Sequence, residues 1–209
     1  MMSSAKKWSI LICTVPNRRD RMQVLYDSLE DQLHRCSAAI GRVEILVLGD
    51  NKARSVGLKR QSLLDIARGE FISFVDDDDK VSVDYVEQIL HTLDANQYPF
   101  NIDLVTFPVK VTIDGKKEGI VRSSKQYIPT DLWAPLQEYE PPVIYRPPHM
   151  LMVWRTSVAR KGTFPDENFG EDFKWARQCW PHIGQEVVLG GDPLYWWRGR
   201  SNEEPTVGM

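Results

Sequence analysis

At 209 residues, with 42% apolar and 26% charged residues, the chain is long enough to bury the core of one medium domain and has an ordinary soluble composition. The formal net charge of −3 argues against a large basic surface for nucleic acid, and three cysteines without a CxxC pair argue against a zinc site or a disulfide framework. No apolar stretch approaches the roughly 20 residues that span a bilayer, and the N-terminus lacks the apolar segment of a signal peptide. We therefore expect a cytoplasmic protein.

The first part of the chain alternates between strand and helix patterns. The predicted elements are a strand over residues 8–15, a helix over 22–33, a strand over 43–48, a helix over 58–67 and a strand over 70–75. This β-α-β-α-β order predicts a parallel sheet covered by helices. Such sheets bind ligands at the carboxyl ends of their strands, where Asp50 and a cluster of aspartates lie.

The second part of the chain is less regular. A helix is predicted over residues 83–93, a strand over 102–107 and a hairpin over 109–121 with Asp114-Gly115 at its turn. Prolines and aromatic residues then crowd residues 127–149. We interpret this stretch as a long functional loop, the alternative being a structureless connector. Most tryptophans suit core packing, but Trp133 in this loop is a candidate for stacking on a sugar.

Four consecutive aspartates, Asp76 to Asp79, follow the third predicted strand. A strand that ends in carboxylates fixes hard oxygen ligands on a rigid element, and Mg²⁺ or Mn²⁺ held there keeps coordination positions open for phosphate oxygens. The alternative is an acidic, solvated turn, because like charges this close repel unless a cation or solvent relieves them. From these residues alone, both interpretations stay open.

Four segments carry further motifs in a fixed order. They are the strand and turn at residues 10–18 (ILICTVPNR), the strand end at 47–51 (VLGDN), the helix, strand and aspartates at 57–79, and the acidic segment at 164–173 (FPDENFGEDF). Together they resemble the family-2 glycosyltransferases of GT-A fold, and the likeness extends to about Arg200. The resemblance implies an α/β fold with a Rossmann-like, mostly parallel central sheet flanked by helices and a C-terminal acceptor-side hairpin and loop region.

The resemblance also implies a division of the chain and a donor site. We expect a single domain over residues 1–209, in which 1–107 bind the nucleotide sugar, 108–200 bind the acceptor and carry catalysis, and 201–209 form a tail. UDP is the expected nucleotide, and Mn²⁺ or Mg²⁺ the expected metal, with Asp78 and Asp76 as its ligands. The expected donor-binding residues are Thr14, Val15, Pro16, Asn17, Arg18, Asp50, Lys59, Arg60, Asp76 and Asp77. For Lys59 and Arg60, a solvated surface is the rival interpretation.

Sugar transfer makes two chemical demands. The diphosphate leaves as an anion, so a divalent cation should neutralise its charge as the glycosidic bond breaks. The acceptor hydroxyl must lose a proton, which calls for a carboxylate base. By resemblance, Asp172 is that base and Glu171 orients the acceptor or the sugar, although acidic residues are also favoured at helix starts. A single displacement of this kind inverts the anomeric centre.

One departure from the family lies near the C-terminal end of the likeness. The Gln-x-x-Arg-Trp motif of processive synthases is absent, and the run Trp196-Trp197-Arg198 occupies its place. A polymer-extruding synthase is therefore disfavoured.

Other functions stay open. One is a sugar nucleotidyltransferase, which needs a glycine-rich phosphate loop after the first strand. A second is a non-catalytic binding module of the same fold. The acceptor is a glycan, a small molecule or a hydroxylated base in nucleic acid, and the basic residues between Lys110 and Lys125 give the last of these modest support. The sequence carries no signal for the oligomeric state.

Overall fold

The computed structural model describes residues 6–95, 101–113, 115–127 and 142–199. The strands are β1 (Lys6–Thr14), β2 (Val43–Gly49), β3 (Gly69–Phe74), β4 (Lys80–Val81), β5 (Leu104–Thr106), β6 (Val109–Ile113), β7 (Lys117–Ser123), β8 (Val143–Arg146), β9 (Val153–Arg155), β10 (Glu186–Val188) and β11 (Tyr195–Gly199). The helices are α1 (Arg19–Arg35), α2 (Val56–Ile66), α3 (Tyr85–Ala95), α4 (Thr156–Ala159) and α5 (Glu171–Cys179). The predicted β-α-β-α-β start is confirmed, with element ends shifted by a few residues.

The central sheet has the order β10-β5-β9-β3-β1-β2. β1 pairs in parallel with both β2 and β3, and β5 pairs in parallel with β10. β9 alone runs against its neighbours, lying antiparallel between β3 and β5. The prediction of a mostly parallel sheet is therefore confirmed. β9 itself was not predicted, because three residues are too few to show a strand periodicity.

The core lies on both faces of this sheet. Residues 8–12 of β1 are all fully buried, as expected for a central parallel strand that is covered on both sides. On one face, the rings of Phe164 and Trp175 stack with their centroids 4.8 Å apart, and Trp154 packs against Trp175 at 5.2 Å. Trp154 and Trp175 are thus core residues, as predicted for tryptophans outside the proline-rich segment.

A second, smaller sheet has the order β4-β11-β6-β7-β8. β6 and β7 form the predicted hairpin. β8 pairs with β7 inside the stretch that we interpreted as a loop, so that interpretation is wrong for Val143–Arg146. Residues 128–141, which include Trp133, lie outside the described residues, as do Asp114 and the predicted tail. β4 directly follows Asp79 and pairs with β11, so the last strand returns to the aspartates.

In the part of the chain that the structure describes, no helix combines the length and the apolar character needed to cross a membrane.

Candidate functional site

The carboxyl ends of three parallel strands meet at one edge of the central sheet. Thr14 at the end of β1 is paired with Gly49, so that Asp50 follows directly beside it. On the other side of β1, Leu11 is paired with Phe74, two residues before Asp76. The predicted donor residues from all three strands therefore lie at a common edge, the usual ligand position in open α/β sheets.

The turn after β1 forms one wall of this edge. Pro16–Arg18 make a short 3-10 turn, closed by a hydrogen bond from the Arg18 N–H to the Val15 carbonyl at 2.9 Å. Val15 is buried, whereas Pro16 and Asn17 are exposed at the mouth. Within Thr14 to Arg18 there is no glycine, so this turn lacks the glycine-rich phosphate loop of a nucleotidyltransferase.

Two of the four aspartates point into the protein. Asp77 accepts hydrogen bonds from the Thr14 hydroxyl at 2.7 Å and from the Arg18 guanidinium at 2.9 Å. Asp79 accepts from the Tyr195 hydroxyl at 2.7 Å and from the Arg198 backbone N–H at 2.9 Å. Burial raises the pKa of Asp77, and burial together with the charge of Asp76 raises the pKa of Asp79 to about 8.

The other two aspartates face the mouth of the site. The side chains of Asp76 and Asp78 are 28% and 19% exposed. Asp76 meets Arg60 at 2.9 Å and Asp78 meets Arg18 at 3.1 Å, each through one carboxylate oxygen. Burial raises the pKa of Asp76, and the charge of Arg60 opposes that rise.

These two carboxylates fit a partial cation site. Among the described residues, no group of three or more His, Cys, Asp or Glu side chains is arranged to hold a metal ion. Mg²⁺, however, is commonly held by one or two protein carboxylates, with phosphate oxygens and water completing its shell. Asp76 and Asp78 offer that donor set at the mouth, whereas Asp77 and Asp79 are turned inward toward protein donors.

Two successive cationic residues of α2, Lys59 and Arg60, contact the residues at the strand ends. The Lys59 ammonium lies 3.3 Å from Asp50 Oδ1 and donates to the Thr14 carbonyl at 3.2 Å. Arg60 donates to Asp76 at 2.9 Å and forms a close ion pair with Glu171. Both cations are buried and engaged with protein oxygens. They are not part of a solvated surface, and their direct contact with base or phosphate stays a prediction.

The acidic segment begins a helix, as its pattern indicates. Gly170, in the left-handed region at φ 75°, caps α5, and Glu171 and Asp172 occupy the first turn. The helix dipole favours carboxylates there. Glu171 is buried, and burial raises its pKa despite the charge of Arg60. Asp172 is half-buried, and its charge acts on both Arg60 and Arg146.

The start of α2 lies very close to the segment that precedes α5, and this contact brings α5 to the strand ends. The Gly57 N–H at the start of α2 donates to the Glu167 carbonyl at 3.0 Å, and the Val56 N–H donates to Asn168 Oδ1 at 2.8 Å. A Cβ on Gly57 would lie 1.9 Å from the Pro165 carbonyl oxygen. Only glycine permits this contact, and the contact places the acidic start of α5 next to Arg60.

Sequence reasoning missed the contributions of Tyr195 and Arg198. The buried Tyr195 hydroxyl accepts a hydrogen bond from the Asp76 N–H at 3.0 Å while it donates to Asp79. The Arg198 guanidinium donates to the Asp78 carbonyl at 2.7 Å. A signal existed, because the Trp196-Trp197-Arg198 run stands where the family has another motif. The run was interpreted only as the absence of that motif.

A buried histidine and the basic residues proposed for nucleic acid are also placed by the structure. His149 is buried, and burial together with the charge of Arg146 lowers its pKa well below the ordinary value. Of the basic residues proposed for nucleic acid, Lys110 forms an ion pair with Glu118 at 3.0 Å, and the Lys125 ammonium donates to the Gly184 carbonyl. Both lysines are therefore engaged within the protein.

Solved structures share this architecture, although no protein-family model and no curated protein sequence matches the chain. TarS residues 1–349 from S. aureus, in complex with UDP-GlcNAc, matches 97% of this chain with a TM-score of 0.63 and 17% identity. The UDP complex of the same protein matches 92% with a TM-score of 0.60, also at 17% identity. The chain therefore shares the fold of these TarS structures, a mixed α/β fold with a central sheet flanked by helices. The chain spans 61% of the first of these structures and 36% of a longer TarS structure.

Proposed function

We propose that the chain transfers a single sugar from a UDP-sugar to an acceptor hydroxyl, with metal dependence and with inversion at the anomeric carbon. The observation that carries this proposal is the pairing of Arg60 with both Asp76 and Glu171, which joins the aspartate cluster to the acidic start of α5. The donor-side and acceptor-side carboxylates thus belong to one site. The shared fold with TarS, solved with UDP-GlcNAc and with UDP, supports the choice of donor.

In this proposal the donor lies along the strand ends. Asp50, held by Lys59 and by Arg54 at 3.3 Å, contacts the base, and the turn at residues 14–18 borders the nucleotide. Asp76 contacts the ribose and, with Asp78, would hold Mn²⁺ or Mg²⁺, whereas Asp77 supports this cation shell indirectly through its hydrogen bonds to Thr14 and Arg18. Such an ion, when bound, supplies positive charge that stabilises the departing diphosphate. Residues 1–107 are then the donor half and 108–200 the acceptor half.

The reaction needs one proton transfer and one displacement. The Asp172 carboxylate takes the proton of the acceptor hydroxyl while that oxygen bonds to the anomeric carbon. The bond between the anomeric carbon and the diphosphate oxygen breaks at the same time, and its electron pair leaves with UDP. Attack from the side opposite the leaving group converts an α-linked donor into a β-linked product. Glu171, fixed by Arg60, orients the acceptor or the sugar beside Asp172.

A thermal-shift experiment tests the donor site. Nucleoside diphosphates are compared with and without Mn²⁺, on the wild type and on Asp78→Asn. A ligand at one hundred times its dissociation constant stabilises the fold by about 2.7 kcal/mol. For a chain of this size that corresponds to a rise in melting temperature of about 5–10 °C. We expect a rise with UDP that requires Mn²⁺ and is lost in the variant.

A second experiment separates the enzyme from its alternatives. UDP release from UDP-GlcNAc is measured on the wild type and on Asp172→Asn. We expect the variant to bind UDP like the wild type but to release UDP at least about a hundredfold more slowly, because general-base catalysis contributes about 10²–10⁴-fold. UDP binding without release in the wild type would instead indicate a binding module. Failure of every nucleotide to shift the melting temperature would contradict the proposal.

A further inference from the structure

Phe169 is the most exposed of the large apolar side chains in the described part of the chain, with 85% of its surface accessible. It lies just before Gly170, the cap of α5, and three residues before Asp172. An apolar residue at this position usually packs against the fourth residue of the helix as a hydrophobic staple. Here the fourth residue is Lys174, which instead forms an ion pair with Glu167. Phe169 therefore has no staple partner that would explain an apolar side chain at this position.

The backbone that carries Phe169 is held on both sides. The preceding residues, Glu167 and Asn168, accept hydrogen bonds from the start of α2 at 3.0 and 2.8 Å. The following residue, Gly170, accepts a hydrogen bond from the Lys174 N–H at 3.1 Å. Phe169 is thus displayed by a fixed segment, and its position relative to Asp172 is set by the start of α5.

A second aromatic residue follows the proposed base in the sequence. Phe173 follows Asp172 directly and is 38% exposed. Its ring packs edge-on against Trp180 with the centroids 5.8 Å apart, and the Arg177 guanidinium lies 5.8 Å from the ring centre. Trp180 is itself anchored by a hydrogen bond from its indole N–H to the Pro148 carbonyl at 2.8 Å. Aromatic residues therefore flank Asp172 along the chain.

We propose that Phe169, with Phe173 beside Asp172, forms a stacking platform for the ring of a carbohydrate acceptor. The inference rests on the proposed function and adds the class of acceptor to it. The C–H face of a sugar ring carries partial positive charge and packs on the negative face of an aromatic ring. An acceptor stacked there places its hydroxyls next to the carboxylate that must remove their proton. A few apolar contacts with one fixed polar group are typical of a small-ligand site.

Charge favours a neutral sugar over a polyanionic acceptor. The segment around Phe169 carries the carboxylates of Asp166, Glu167, Glu171 and Asp172. Lys174 and Arg60 pair with Glu167 and Glu171, the Arg146 charge acts on Asp172, and the Arg177 guanidinium lies 5.8 Å from the centre of the Phe173 ring. These four cations offset the four carboxylates, so the segment carries no excess of positive charge that would bind a polyanion such as nucleic acid. An uncharged sugar ring needs no such charge.

The test uses UDP release from UDP-GlcNAc in the presence of candidate acceptors. The probes are methyl glycosides and short oligosaccharides of common neutral hexoses, with an open-chain polyol and a hydroxymethylated DNA oligonucleotide as the competing classes. We expect a cyclic sugar to accelerate UDP release. Phe169→Ala should raise the KM for that sugar by about two- to tenfold and leave the KM for UDP-GlcNAc unchanged, and Phe169→Trp should restore the sugar KM.

A binding measurement and a matched control complete the test. Saturation-transfer NMR with UDP present should show contact between protein aromatic protons and the C–H face of the sugar, and Phe169→Ala should abolish it. Ile40→Ala is the matched control, because Ile40 is also a large apolar side chain with 67% of its surface exposed. Ile40 precedes β2, at the amino end of that strand and away from the carboxyl ends that form the site. This substitution should change neither KM. Acceleration only by the polyol or the oligonucleotide, or by none of the probes, overturns the inference, as does an unchanged sugar KM in Phe169→Ala. A wild type that binds no UDP overturns the proposed function instead.

Discussion

Removal of the Arg60 charge should destabilise the protein strongly. Arg60 is buried and contacts two carboxylates, Asp76 at 2.9 Å and the buried Glu171. Arg60→Met keeps much of the side-chain volume but leaves Glu171 buried without a cation. Breaking a buried pair in this way costs about 3–5 kcal/mol. Because Asp76 is partly exposed and can be solvated, we expect the lower end, about 3 kcal/mol, or a fall in melting temperature of about 6–12 °C.

The stability that Arg60→Met loses relative to the wild type should depend on pH. Burial already raises the pKa of Glu171 in the folded wild type, and removal of Arg60 raises it further. When the folded-state pKa of an acid lies above its unfolded value, the folded state binds the proton more tightly. Stability is then greatest below the unfolded pKa and falls as the pH rises through the folded pKa. The deficit of Arg60→Met relative to the wild type should therefore shrink as the pH is lowered from 7 to 5.

Thermal unfolding across this pH range, without divalent cations, measures both effects. Arg42→Met is the matched control, because Arg42 forms an exposed ion pair with Asp94 that is worth at most about 1 kcal/mol. Adding Glu171→Gln to Arg60→Met should recover part of the lost stability, since the uncompensated charge is gone. A fall in melting temperature no larger than that of Arg42→Met, or a deficit that is the same at pH 5 and pH 7, would contradict a structural role for the buried Arg60 charge.

Three further predictions concern the contacts around the site. Gly57→Ala should cost at least about 2 kcal/mol because its Cβ would meet the Pro165 carbonyl, whereas Gly190→Ala, with open space at its Cβ, should be near neutral in urea unfolding. Tyr195→Phe removes the hydroxyl between two aspartate groups and should cost about 1–3 kcal/mol in the same assay. Since the pKa of Asp79 is raised to about 8, the contribution of Asp79 to stability in EDTA should fall as the pH rises from about 4 to about 8, so Asp79→Asn should gain stability relative to the wild type over that range.

The regular half of the fold could be predicted because its elements are long and local. The apolar run over residues 8–15 and the helical spacing over residues 22–33 are long enough that each predicts one structure, which β1 and α1 confirm. β8 and β9 have four and three residues and follow a proline-rich segment, so nothing in their own sequence separates a strand from a loop. Their conformation depends on pairing with β7, β3 and β5, which are distant along the chain.

The candidate site could be predicted by residue type but not by contact. Asp76 to Asp79 and the acidic start of α5 stand out in the sequence, yet the partners of the aspartates come from elements far away. Tyr195 reaches Asp79 across 116 residues, and Arg60 reaches Glu171 across 111. The direction in which Arg60 points depends on the rotation of α2 about its axis, and the close contact at Gly57 helps to fix that rotation. A sequence pattern does not encode the rotation of a helix against its neighbours.

The side chains of the four consecutive aspartates point alternately in two directions, and this separation relieves their mutual charge repulsion. Asp77 and Asp79 point inward to Thr14, Arg18 and Tyr195, whereas Asp76 and Asp78 face the mouth. The inner pair fixes the turn, so neutral substitutions there should change the melting temperature of the free protein. The outer pair is partly solvated, so the same substitution at Asp78 should leave that temperature nearly unchanged and alter only its response to UDP and Mn²⁺. Four identical residues in a row thus carry two separable roles because alternate side chains meet different surroundings.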